Sequence, residues 1–406
     1  MKGFHMNRNK SLIEIEKTFW HKQPRVAKTH ISDEEIDAKY DSKSERIVTE
    51  TNREKLQNFY DALQRPNYMD PRPFYQRRQR WSAERQSQLI ESFLINIPIP
   101  PLFVYESKPN VYEVMDGQQR ITAIKAFYSN ELKLIGLERW PELNGRTYSK
   151  LPSKIKAGID RRSISWITVL HESSDNEEDA FAIKQLVFER LNTGGVKLSH
   201  QEIRNALFAG PFNSLLVQLS QLPEHRRAWR LQEYSVVEDA YVPEQLGKSA
   251  FYLEMEDIEM ILRFFALRNA QHYTKGMRGF LDLYMERARQ LDSESLQELG
   301  DLYKKTITLA LKIFGDFTFR QYLPEKGSWV TQPQKAIADA VLVALCEFLS
   351  RESELTQRKD IAIKLTQREF AKDTAGALTG RGNTKGDVLA RIEIMRNVFT
   401  ETLSAS

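Results

Sequence analysis

The chain has 406 residues, 41% of them hydrophobic and 28% charged, with a formal net charge of +4. That length suits roughly two or three globular domains, and so weak a positive balance does not by itself indicate a nucleic-acid ligand. The single cysteine, Cys346, excludes an intramolecular disulfide and a thiolate metal site. Set in the apolar run DAVLVALCEFL, it reads as a core residue of a protein from the reducing cytoplasm. No apolar run reaches about 18 residues, so no membrane span is expected. The charged start MKGFHMNRNKSLIEIEK is unlike a signal peptide.

In chain order, residues 1–51 are charged and poor in large apolar residues, and they read as an N-terminal arm. Order is expected to begin near TNREKLQNFYDAL, where Leu56, Phe59, Tyr60 and Leu63 outline an amphipathic helix. The proline-rich RPNYMDPRPFYQRRQRW follows as a link. SAERQSQLIESFLINI reads as a helix capped by Ser82, with Leu89, Ile90, Phe93, Leu94 and Ile97 on one face. Pro98, Pro100 and Pro101 stop it. LFVYE and VYEVM read as strands joined by SKPN, and residues 118–128 as a helix with Ile121, Ile124 and Phe127 inward. SISWITVL alternates like a half-buried strand. SDNEEDAFAIKQLVFERLN has an acidic first turn and a helical stripe of Phe181, Leu186, Phe188 and Leu191, closed by Gly194 and Gly195. SHQEIRNALF opens with Ser199 and Glu202 at capping-box spacing. Beyond about residue 206 the segments DIEMILRFFALRN, RGFLDLYMERARQL, QELGDLYKKTITLALKIF and QKAIADAVLVALCEFL all carry helical periodicity, and strand signals nearly vanish. The expected architecture is a mixed α+β domain over 52–205 and a helical domain over 206–406.

Four stretches carry chemistry. Asp116-Gly117-Gln118-Gln119-Arg120 sits where a strand becomes a helix. The first amides of a helix lie beyond its own hydrogen-bond ladder, and the helix dipole adds positive charge there. Such an end suits an anion. Gly117 permits close backbone approach, and Arg120 adds a planar fork suited to phosphate. Gln118 and Gln119 can hold a water or a base. Asp116 repels phosphate unless it holds Mg²⁺, orients Arg120 or activates water. The plainer alternative makes Asp116 an N-cap and Arg120 a solvated helix residue.

YQRRQRW interleaves Arg77, Arg78 and Arg80 with Tyr75 and Trp81. This pattern fits phosphate or nucleic-acid contact, or equally a solvated basic edge with Trp81 stapled to the next helix. FERLNTGGVKLSHQEIRNAL offers Arg190, Asn192, Lys197, Arg204 and Asn205 around a glycine turn that equally serves as a cap. TGRGNTKGDVLARI has the look of a phosphate loop, yet Thr384 stands before Lys385 where the Walker pattern needs glycine. It reads as a basic surface loop, with Arg381 and Lys385 available to DNA or a partner. The chain lacks a His-Glu-x-x-His pair, a Gly-x-Ser-x-Gly elbow and a dinucleotide fingerprint after a strand.

On three of these segments the chain resembles the GmrSD-type N-terminal domain family, which is similar to the ParB/sulfiredoxin fold. YQRRQRW matches through Gln76, Arg77 and Trp81. LIESFLINIPIPPLFVYE followed by EVMDGQQRITAIKAF matches the helix–strand–motif–helix core. VFERLNTGGVKLSHQEIRNALF matches the segment after it. The match covers about 60–210; the helical remainder resembles the tail of stand-alone members. The resemblance implies a ParB-like α+β domain that binds and hydrolyses NTP, with Mg²⁺ as an optional companion, in prokaryotic defence against foreign or modified DNA. Carried over, Asp116, Gly117, Gln118, Gln119 and Arg120 form the nucleotide site, with Asp116 the one metal-ligand candidate. Gln76 and Arg77 are its neighbours, joined by Arg80 and Asn192 from the basic and glycine-turn segments. Lys197, Arg204, Arg381 and Lys385 are the expected DNA or partner contacts. Restriction members carry a His-Asn-His nuclease domain, whereas no histidine follows His272 here, so a nuclease is expected in a partner protein. The competing expectation is a module that senses DNA or a modification, or binds a partner in a defence or toxin–antitoxin complex, without hydrolysis.

Overall fold

The computed structural model describes residues 13–20, 32–41, 47–66, 68–70, 81–170, 183, 184, 186, 187, 190, 199–208, 210–239 and 242–405. The chain divides into two units, Val26–Leu198 and a second made of Met1–Arg25 with Ser199–Ser406. The first described helix, α1 (Glu14–Thr18), belongs to the second unit.

The unit Val26–Leu198 is α+β. After α2 (Asp33–Asp41) come β1 (Thr49–Lys55), α3 (Leu56–Leu63) and β2 (Met69–Asp70). They are followed by α4 (Ala83–Leu94), β3 (Leu102–Lys108), β4 (Val111–Asp116), α5 (Gln118–Tyr128), α6 (Ser153–Asp160) and β5 (Ser163–Val169). The five strands form one sheet in the order β1-β5-β3-β4-β2. β1–β5 and β3–β4 are antiparallel, while β3–β5 and β2–β4 are parallel. One core joins Leu102, Val104, Val114, Ile164 and Trp166 of the sheet to Phe59 of α3, Ile90 and Phe93 of α4, and Ile121, Ile124 and Phe127 of α5. Alternation along the strands and 3.6-residue spacing along the helices bring these side chains to one side.

Several expectations change here. Residues 49–55 form a strand, and the helix starts only at Leu56. β1 is an edge strand paired on one side, and its largely exposed charged side chains conceal it from a periodicity reading. Ser82 does cap α4, its hydroxyl accepting from Arg85 N at 3.3 Å. The helix stops at Leu94, Asn96 turns left-handed, and Ile97 is 51% exposed rather than on the inner face. The helix expected over SDNEEDAFAIKQLVFERLN and its glycine ending lie mostly outside the described residues; those described at 183, 184, 186, 187 and 190 are helical.

The other unit is helical. Its helices are α7 (His200–Leu207), α8 (Pro211–Ser220), α9 (Pro223–Ala228), α10 (Glu244–Gly247), α11 (Ala250–Leu253), α12 (Glu256–Leu267), α13 (Gly276–Ala288) and α14 (Ser293–Phe314). A small hairpin, β6 (Tyr322–Leu323) and β7 (Ser328–Trp329), precedes α15 (Lys335–Leu345), α16 (Glu352–Gln357), α17 (Lys359–Lys372) and α18 (Lys385–Ser404). Ser199 and Glu202 form the capping box that opens α7. Cys346 is buried, as its apolar setting suggests.

α1 is docked in this unit. Glu16 is 0% exposed; it pairs with Arg268 and accepts from Tyr284 Oη at 2.7 Å and Asn269 Nδ2 at 3.3 Å. Trp20 stacks on His272 at 4.9 Å between centroids and donates to Asn269 Oδ1 at 2.9 Å. Part of the charged stretch read as an arm is therefore core structure. The signal is weak in sequence because the buried group is a carboxylate whose partners lie some 250 positions away. Among the described residues no helix is long and apolar enough to cross a membrane.

Candidate functional site

β4 ends at Asp116, and Gly117 (φ 100°, ψ 9°) turns the chain into α5 at Gln118. A side chain at Gly117 would overlap Leu102 Cδ2 and stand 3.2 Å from Arg120 Nη2. Glycine is thus required both by its left-handed backbone and by space. The register slips here: Phe103 faces Asp116 while Val104 faces Val114, which leaves Met115 as the extra residue of a bulge. A bulge at a strand end re-aims the following side chain. Gly117 itself is the N-cap residue, so Asp116 does not cap the helix.

The Asp116 carboxylate instead receives Arg120 Nη2 at 2.6 Å. The guanidinium also donates through Nη1 to the carbonyls of Pro101, at 3.1 Å, and Pro100. Its side chain is 11% exposed against 52% for Asp116. Burial pulls the Arg120 pKa down, and the adjoining Asp116 carboxylate opposes that shift. Arg120 is therefore not a solvated helix residue. It clasps the turn before β3 to the turn before α5. In the first turn of α5, Gln119 Oε1 accepts from Trp81 N at 3.0 Å, and Gln86 Nε2 donates to Trp81 O at 3.0 Å. The end of the YQRRQRW segment is thereby tied to the motif, with Arg85 over the Trp81 ring at 4.9 Å.

Residues 56–209 match the family model described as the GmrSD restriction endonuclease, N-terminal domain. This segment is a GmrSD-type N-terminal domain. Comparison with curated proteins and with solved structures gives no match.

The GmrSD-type domain contains the whole junction, from Trp81 through Arg120. On the same sheet Lys184 pairs with Glu113 at 2.8 Å and lies 4.2 Å over the Tyr105 ring. This brings the helical stretch ahead of FERLN against β3 and β4. Gln76, Arg77, Arg80, Asn192 and Lys197 lie outside the described residues. The contributions of Pro100, Pro101 and Leu102 were not expected from sequence, where the prolines read only as a helix stop. The available signal was that paired prolines hold extended backbone with outward carbonyls.

Arg204, expected on a DNA- or partner-facing surface, is 2% exposed. It pairs with Glu259 and Asp282, each at 2.7 Å, and takes part in the helical unit's internal packing. The basic loop before α18 is likewise shaped from within. Thr384 and Asp387 form a capping box, so the chain's own carboxylate occupies the helix start that a phosphate loop would leave open. Arg391 is buried beneath it, bonded to the carbonyl of Gly382 and to Asn383 Oδ1 at 3.2 Å. Lys385 donates to the Gln271 carbonyl, while Arg381 is exposed.

Among the described residues no three His, Cys, Asp or Glu side chains gather as a metal cage. Asp116 is the one acid of the motif, and its Oδ2 carries Arg120.

Proposed function

We propose that the chain is a nucleotide-binding module that hydrolyses NTP and serves in defence against foreign or modified DNA. The observation that carries the reading is the Asp116–Gly117–α5 junction, a left-handed glycine opening a helix beside a clasped arginine. It lies in a domain whose family takes its description from a restriction endonuclease. Phosphates are received by the first turn of α5 and by the positive charge of Arg120. Positioning of the attacking water falls to Gln118 or Gln119 in the first turn of α5. Asp116, half exposed, accepts the water's proton on its outer oxygen. DNA and a nuclease or other defence protein are the proposed partners, and the ParB-like character of the domain belongs to the same reading.

A second reading, nucleotide binding without hydrolysis, draws on the ties of Asp116 and Arg120 to each other and to the prolyl carbonyls. Such a pair suits a positioning device as well as a catalytic one. Phosphate release and equilibrium binding, measured with each of the common NTPs and magnesium, separate the two. Release that drops about 10²-fold or more in Asp116→Asn, with binding and melting temperature kept, supports hydrolysis. Binding without release supports the sensor. Neither signal from well-folded protein overturns the nucleotide reading.

A further inference from the structure

The N-terminal segment meets the helical unit through side chains. Among the described residues, the backbone hydrogen bonds of 13–20 stay inside the segment. Glu16 N donates to the Ile13 carbonyl at 3.1 Å, and Phe19 N to the Glu16 carbonyl at 3.2 Å. The Ile13 amide closes the turn on Glu16 Oε2 at 3.1 Å. A self-contained turn thus offers three groups to the rest of the unit: the Glu16 carboxylate, the Phe19 ring 5.7 Å from that of Tyr284, and the Trp20 ring.

The receiving surface comes from one short stretch of chain. Arg268 and Asn269, just after α12, and Tyr284 of α13 surround the carboxylate. Trp20 lies against His272 and Phe280, with Arg287 4.5 Å over its ring. Phe280, Tyr284 and Arg287 stand at i, i+4 and i+7 on α13, which puts them on one face. Contacts outside the segment also hold this surface. Arg268 lies 5.7 Å over the Phe264 ring, Asn269 Nδ2 donates to the Phe265 carbonyl at 3.4 Å, and Tyr273 packs on Phe280 at 5.1 Å. Lys385 donates to the Gln271 carbonyl between them. Anchors on one helical turn, seated on a prepared helix pair, are the means by which a short peptide is recognised.

We infer that this surface is a recognition site for the segment Ile13–Trp20 as a peptide, and that two copies of the chain exchange the segment, each supplying Glu16 to the other's Arg268. Two observations carry this. Withdrawal of Glu16 removes the carboxylate that Arg268 holds, so a replacement occupant has to bring one, followed at three and four residues by aromatic rings. A second copy brings that same sequence, EKTFW. Covalent continuity does not dictate which copy supplies it, because after Arg25 the chain enters the α+β unit and rejoins the helical unit only at Ser199. The contacts are the same within one chain and between two, so protein concentration sets the balance. The site shares no residue with the Asp116 junction.

Full-length variants with reversed charge test the exchange. Glu16→Arg and Arg268→Glu each bring like charges together in the site, and each alone is expected to melt below the unmodified chain. Mixed in equal amounts at about millimolar concentration, where a second chain competes with a tethered segment, they regain both pairs only across copies: the original pair in one site and the reversed pair in the other. The mixture is expected to sediment as a one-to-one dimer and to melt above either variant alone. The double variant in a single chain shows that the reversed pair is accepted. The unmodified chain, at the same concentration, is expected to form a dimer that an excess of the peptide 10–25 returns to monomer. An unmodified chain that stays monomeric, or a dimer indifferent to the peptide, overturns the exchange. So does a mixture no larger and no more stable than its components while the double variant is stable.

Discussion

At Gly117 the backbone conformation and the side chain of Leu102 impose the same requirement, since φ is +100° and any Cβ would run into the leucine. Gly117→Ala is therefore expected to cost about 1–3 kcal/mol from the strained backbone and the overlap together. A urea titration of the α+β unit's unfolding checks this, and an unchanged midpoint would show that β3 yields freely. The glycine was readable from sequence because Asp-Gly before a helical pattern marks a turn. The use of Asp116 was not. Capping and pairing with Arg120 both satisfy a carboxylate at that position, and the prolyl carbonyls that fix Arg120 lie 19 and 20 positions earlier. Local spacing carries no record of such a contact.

The same division holds for whole elements. The capping box of α7 is local, three residues apart, and it stands in the structure as its spacing predicts. The role of Arg204 within that helix is non-local, since its carboxylate partners come from α12 and α13. β1 is the extreme case, a strand whose existence rests on pairing with β5 rather than on its own pattern. A pH dependence follows from the surroundings of α7. Burial, then Arg278 and Arg204, lower the pKa of His200 from 6.5, against the opposing pull of Glu259 and Asp282. The folded chain thus holds this proton less tightly than the unfolded chain does. Below about pH 6.5 the unfolded state binds more protons, so stability falls with acid. Melting temperatures recorded from pH 8 to pH 5 are expected to decline below that point, with a shallower decline in His200→Gln. Parallel curves for the two proteins would remove His200 as the cause.

At the scale of the molecule, the division into an α+β part and a helical part was legible because periodicity changes near residue 206. The return of the N-terminal segment to the helical unit was not legible, since a charged residue rarely signals burial. Removing one partner from a buried ion pair leaves the other charged and desolvated. Glu16→Ala is accordingly expected to destabilise the helical unit by about 3–5 kcal/mol. Glu14→Ala, whose side chain is 88% exposed, is expected to change little. Thermal melting followed by circular dichroism distinguishes the two, and equal melting points would show that Arg268 finds another anion.

The seating of Glu16 also sets an order of events during synthesis. Glu16 leaves the ribosome long before Arg268, Asn269 and Tyr284 exist, so its side chain waits through the translation of the whole α+β unit. Val26–Leu198 emerges complete while that carboxylate is still in water, and the helical unit closes on it afterwards. A fragment cut to the matched boundaries 56–209 omits β1 as well as the N-terminal segment. A fragment begun at Ser199 carries Arg268 into a core without its carboxylate.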